Sequence, residues 1–81
     1  MTKENIKRML TEMIEREFDI EEIAHVFCDI SNYLGEKRAA KIEDRQEYKE
    51  SHIESAGRWR KWTEETLESL GLDYTIEEIE A

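Results

Sequence analysis

Proline is absent from this chain of 81 residues, and glycine occurs only at Gly35, Gly57 and Gly71. Almost nothing in it therefore breaks a helix. Apolar residues recur at three- and four-residue steps and nowhere alternate as a half-buried strand does. Ile6, Met9, Leu10, Met13 and Ile14 share one helical face, and Ile20, Ile23, Ala24, Phe27, Ile30 and Leu34 share another. The reading is an all-α fold in a single domain over 1–81. Helices are expected over about 3–17, 20–34, 36–70 (continuous or gently bent near Gly57) and 75–80. The first two form an antiparallel hairpin packed on the long charged third helix, and a short helical turn closes the chain.

Local signals place the boundaries. Asp19 with Glu22 three residues later is a capping-box pattern. Gly35 is a candidate terminator of the second helix. Gly71 is a candidate C′ residue of the third, with Leu72 packing back. Thr75 and Glu78 suggest the start of a last turn. The expected core is Ile6, Leu10, Met13, Ile14, Ile23, Phe27, Ile30, Leu34, Trp59, Leu67 and Leu70.

The chain is 38% hydrophobic and 41% charged, so this core is small beside its ionised surface. A chain of this length buries only about two-thirds of its unfolded surface and has marginal stability. Small domains without a staple often oligomerise. The lone Cys28 excludes an internal disulfide, and its place in an apolar run suggests a buried, reduced thiol. The charged stretch Met1 to Arg8 does not read as a signal peptide, and no run approaches the ~18 apolar residues of a membrane span. A cytoplasmic protein is expected.

The net charge of −9 is unevenly placed. Residues 63–81 hold seven acids and no base, and residues 19–35 hold four acids and no base. Residues 36–62 carry eight bases and six acids. Such a surface repels a phosphate backbone and attracts basic proteins. Direct nucleic-acid binding is therefore not expected.

Three constellations stand out. On one helix after Gly35, Lys37, Lys41, Arg45 and Lys49 would form a basic row. Glu36, Glu43, Glu47, Glu50 and Glu54 would form an acidic row about half a turn away. Charge runs usually solvate, but one row can serve as a docking surface. The second is Arg58-Trp59-Arg60-Lys61-Trp62. Tryptophan and arginine dominate binding hot spots, and Arg58 is spaced to lie over Trp62. At least one tryptophan is expected in the core. The third is the polar face Glu22, His25, Asp29 and Asn32. Glu22 and His25 form half of a di-metal carboxylate signature, but the second half is missing, since His52 follows a lysine rather than a glutamate. His25 and Cys28 have the spacing of two zinc ligands, without a second pair. No nucleophile–base order or phosphate loop is present, so no enzyme activity and no cofactor are expected.

In size and charge the chain resembles small acidic phage-encoded inhibitors, including some anti-CRISPR proteins and DNA mimics; no motif residue carries over. The expected function is a protein–protein interaction in which this chain sequesters or blocks a basic, nucleic-acid-binding partner. The expected partner-binding residues are Glu43, Glu47, Glu50, Glu54, Arg58, Trp62, Glu64, Glu65 and Glu68. One alternative is a helical assembly or adaptor module built on the Trp/Arg patch. The other is a di-metal carboxylate bundle centred on Glu22 and His25. A weak heptad row, 42/49/56/63/70 beside 46/53/60/67, points to a homodimer.

Overall fold

The computed structural model describes residues 2–80, and these are all-α: α1 (Lys3–Glu15), α2 (Ile20–Ile42), α3 (Gln46–Ser69) and α4 (Ile76–Glu80). The caps follow from local chemistry. The Thr2 hydroxyl accepts from the Asn5 amide at 3.2 Å. Asp19 and Glu22 complete a reciprocal box, at 2.8 Å from the Glu22 amide and 3.1 Å from the Asp19 amide. The Glu78 amide donates to Thr75 at 3.2 Å. Two helices end in Schellman motifs. Gly71, at φ +66°, closes α3 with Leu72 N–H on the Leu67 carbonyl at 2.8 Å. Glu17, at φ +61°, closes α1 with Phe18 N–H on the Met13 carbonyl at 3.0 Å. Helix α1 thus ends two residues before the expected Glu17.

The larger difference concerns α2. It runs through Gly35 to Ile42, and the chain reverses at residues 43–45 instead. An interior glycine costs only about 1 kcal/mol relative to alanine, and the following residues, through Ala39, Ala40 and Lys41, are mostly good helix formers. The reversal is held by the Glu43 carboxylate, which accepts from the Arg45 amide at 3.1 Å. The bipolar helix expected after Gly35 is therefore divided. Lys37 and Lys41 stand on α2, Arg45 lies in the connection, and Lys49 is half-buried on α3. Helix α3 continues through Gly57.

Helices α2 and α3 form the longest pairing in the fold. Buried and half-buried positions alternate by three and four along both: Glu22, Val26, Asp29, Tyr33, Glu36, Ala40 and Glu43 on α2, and Lys49, His52, Ala56, Trp59, Thr63, Thr66 and Leu70 on α3. This is an antiparallel heptad seam. It contains polar pairs: Thr66 donates to Asp29 at 2.7 Å, and the His52 imidazole N–H donates to Glu36 at 2.7 Å. Positions 49/56/63/70 of the expected self-association row are thus engaged within the chain.

The apolar core lies at one end, called here the base: Met9, Met13, Val26, Ile30, Tyr33, Leu67, Leu72, Ile76 and Ile79. Ile23, Phe27, Leu34, Trp59 and Leu70 pack against it while half-buried. Ile14 does not belong to it, being 60% exposed, and Ile6 faces solvent. The α1 stripe is centred on Met9 and Met13 rather than on its isoleucines. Helix α4 is bound into the base by more than apolar contact. Asn5 donates to the Glu78 carbonyl at 2.7 Å, Arg60 reaches Glu77 at 3.3 Å, and Lys37 reaches Glu80 at 2.8 Å. Arg16 caps the α3 C-terminus through the Leu70 and Gly71 carbonyls, at 2.9 and 3.0 Å. The other end, the tip, is only the α2/α3 hairpin. Beyond Tyr33 its one buried apolar residue is Ala40. The described chain measures 45 × 22 × 19 Å.

Candidate functional site: an acidic, tryptophan-lined cleft

The start of α2 and the second half of α3 line an open cleft of about 860 Å³. Trp59 and Trp62 form one wall, their rings edge-to-face with centroids 4.9 Å apart and planes at 83°. Trp59 is half-buried against the core, and Trp62 is 44% exposed. That division follows from helical position: Trp59 sits on the seam, and Trp62 lies three residues on, at its rim. Thr63, next along the seam, turns its hydroxyl back to the Trp59 carbonyl at 2.6 Å.

The other walls are acidic. Asp19, Glu21, Glu22, Asp29 and Glu65 line the cleft, and neither lysine nor arginine does. Asp19 and Glu22 use oxygens on the α2 amides, which also consumes the anion-attracting potential of that helix N-terminus. Glu21 and Glu65 make no ion pair among the described residues. Asp29 is only 5% exposed; beyond its bond from Thr66, it has His25 Nε2 at 3.6 Å. Cys28 also lines the cleft and is exposed, against the expectation of a buried thiol. Its position on α2 falls between the seam and the outer face, and Asn32 donates to its carbonyl at 2.9 Å.

The expected site residues separate into three groups. Trp62 and Glu65 meet in the cleft, with Glu22 and His25 beside them. Glu47, Glu54, Arg58 and Glu68 lie on the outer face of α3, and Arg58 bonds Ser55 at 3.0 Å rather than covering Trp62. Among the described residues the cation–π pairs use Tyr74, Phe18, Tyr33 and Tyr48, so the Trp62 face is left open by the chain's own cations. The third group is engaged internally. Glu64 is held by Arg60 at 3.1 Å, and Glu50 accepts from Gln46 at 3.1 Å. Glu43 caps α2, its carboxyl held below the usual range first by the Arg45 amide. Glu22 and His25 do not gather a metal set; among the described residues no three His, Cys, Asp or Glu side chains converge on a common point.

Of the cleft residues, Thr66 is not singled out by the sequence, and Asp29 and Cys28 enter there only beside His25 as parts of incomplete metal patterns. Asp29 was read as part of a solvated face, yet its spacing from Val26 and Tyr33 follows the seam, and that is the signal which places it inward.

Comparison with protein-family models, with curated proteins and with solved structures finds no match to this chain. Among the described residues no helix is long and apolar enough to cross a membrane.

Proposed function

We propose that this chain is a small acidic inhibitor, acting by binding rather than catalysis, that captures a basic, nucleic-acid-binding protein by receiving one of its arginine or lysine side chains in the cleft. The observation that carries the reading is an open tryptophan face beside five carboxylates, with neither lysine nor arginine among the lining residues. A cation over a tryptophan ring gains about 0.5–1 kcal/mol when exposed and ~2 when desolvated. Carboxylates on both helices neutralise it there. The partner's nucleic-acid surface is basic because duplex DNA carries a charge per roughly 1.7 Å of axis, and carboxylates compete for such a surface. Glu47, Glu54 and Glu68, on the outer face of α3, extend the negative field and steer the encounter.

An arginine-rich peptide is a suitable probe, followed by tryptophan fluorescence. Binding should weaken steeply with salt. Trp62→Ala and the double reversal Glu21→Lys/Glu65→Lys should each weaken it by about tenfold or more, with the helical spectrum kept. Reversal of Glu47 and Glu54 should slow association but leave the bound state recognisable. Equal affinity of parent and cleft variants would overturn the reading, as would binding insensitive to salt.

A further inference from the structure

The groove that receives α4 does not end with α4. Lys37 and Arg60 hold Glu80 and Glu77 at its margins. Beyond them the same face of the α2/α3 hairpin continues towards the tip as an open hollow of about 260 Å³, bounded by Tyr33, Lys37, Ala40, Ile53, Gly57 and Arg60. Ile53 stands at its edge, 54% exposed, and beyond the local backbone of α3 nothing lies within 4 Å of where a Cβ on Gly57 would be. On α3 the hollow follows the heptad row 46/53/60/67. Leu67 is buried in the base, whereas Gln46, Ile53 and Arg60 remain exposed. The neighbouring row, 49/56/63/70, is taken by α2. The heptad pattern of α3 is thus satisfied within the chain on one side and only at one end on the other.

We propose that a second copy of this chain docks on that face, α3 against α3, antiparallel about a two-fold axis at Ile53. Charge selects this occupant. Residues 36–60 hold seven bases and six acids, while the rest of the chain holds five bases and fifteen acids. Two copies therefore repel through residues 19–35 and 63–81, which hold eleven acids and no base, and little through the tip. The row is also self-complementary, as a two-fold contact requires. Gln46 and Arg60 lie one heptad to either side of Ile53, so each Arg60 meets Gln46 of the other copy, with that copy's Glu50 one turn along. Glu50 accepts from Gln46 at 3.1 Å, and an arriving Arg60 would share its guanidinium between this carboxylate and its own Glu64 and Glu77. A basic protein is a poor occupant of the same hollow, because Lys37 and Arg60 wall it. The cleft lies towards the base and stays open in such a pair, so this inference does not rest on the proposed function.

Sedimentation equilibrium over rising protein concentration tests it. The parent should approach twice 9.7 kDa. Ile53→Glu should weaken association by about tenfold or more without loss of helicity, since half of Ile53 already meets water. In a Cys28→Ser background, Ile53→Cys should form a cross-linked dimer on mild oxidation much faster than Ser51→Cys, which places the thiol on the outer face. A parent that stays at 9.7 kDa into the high micromolar range overturns the proposal. So does an Ile53→Glu chain that associates like the parent, or cross-linking no faster at 53 than at 51.

Discussion

The base and the tip share two helices and one heptad seam, yet they are held together differently. At the base the seam is one wall of an apolar core that α1, α4 and Leu72 close on the other side. At the tip the same seam joins α2 to α3 through Glu36 and His52, each about a third exposed, with Ala40 as its buried apolar contact. Burying an aliphatic side chain contributes about 1.5–3 kcal/mol, whereas a partly exposed ion pair contributes ~1 or less. Stability therefore concentrates at one end, and specificity of pairing is spread along the whole hairpin. A polar pair at a heptad position makes a slipped register costly, because Asp29 without Thr66 would be a buried, unsatisfied carboxylate. The tip opens locally at lower cost than the base, and its exposed row remains available to a partner.

The sharpest way to break this contrast is to hollow out the base. Ile79 is fully buried although it belongs to a five-residue helix. Ile79→Ala should cost about 2–5 kcal/mol in a denaturant melt, because it both removes burial and leaves a cavity. Amide exchange in α1 and the core half of α2 should accelerate in proportion. Amides of residues 36–42 and 46–54 should change much less, since they already exchange through opening of the tip. Equal acceleration at both ends would mean that the hairpin unfolds as one unit.

The base was partly legible in the sequence and the tip was not. Asp19 with Glu22, and Gly71 with Leu72, announce helix ends because each motif consumes specific orphan amides or carbonyls. The stripe Ile23, Phe27, Ile30 and Leu34 was visible because it is apolar. The second buried face of α2 was not, because Asp29, Tyr33 and Glu36 stand where a heptad would show leucine. The break after Ile42 was hidden for a related reason: Gly35 looked like a terminator, while the actual reversal rests on a glutamate bonding a nearby amide. Of the cleft, Trp62 and Glu65 were foreseen from residue type. Their meeting with Asp29, His25 and Cys28 depends on the pairing of α2 with α3, which periodicity of apolar residues did not specify.

A smaller effect sharpens the comparison from the α1 side. Glu17 holds a left-handed backbone that costs an L-residue about 1–2 kcal/mol, where α3 uses Gly71 in the same role. Glu17→Gly should therefore stabilise the protein by about 1 kcal/mol after the added entropy of an unfolded glycine is subtracted. The gain should register in exchange at the base and be absent at the tip. The converse change, Gly71→Ala, adds strain and sets a Cβ 3.3 Å from the Arg16 guanidinium.

The smallest effect lies at the junction of the two ends. Glu80 joins α4 to α2 through Lys37 and the Tyr33 hydroxyl, and these bonds, the Lys37 one foremost, hold its carboxyl below the usual range. A carboxyl whose folded pKa is depressed binds its proton less tightly folded than unfolded. Its contribution is therefore complete above the unfolded value, near 4.3, and is lost as pH falls from there through the lower folded value. The side chain is 27% exposed, so solvent screening keeps the contribution to about 1 kcal/mol or less. Glu80→Gln should flatten that part of the acid limb of stability against pH and leave the neutral and mildly alkaline limb parallel to the parent. Because the contact fastens α4 beside the hollow, the same substitution should speed exchange at Lys37 and its neighbours before it affects Met9 or Met13. If the acid limb kept its slope, Glu80 would be a surface contact only, and the boundary between base and tip would move back to Arg60 and Glu77.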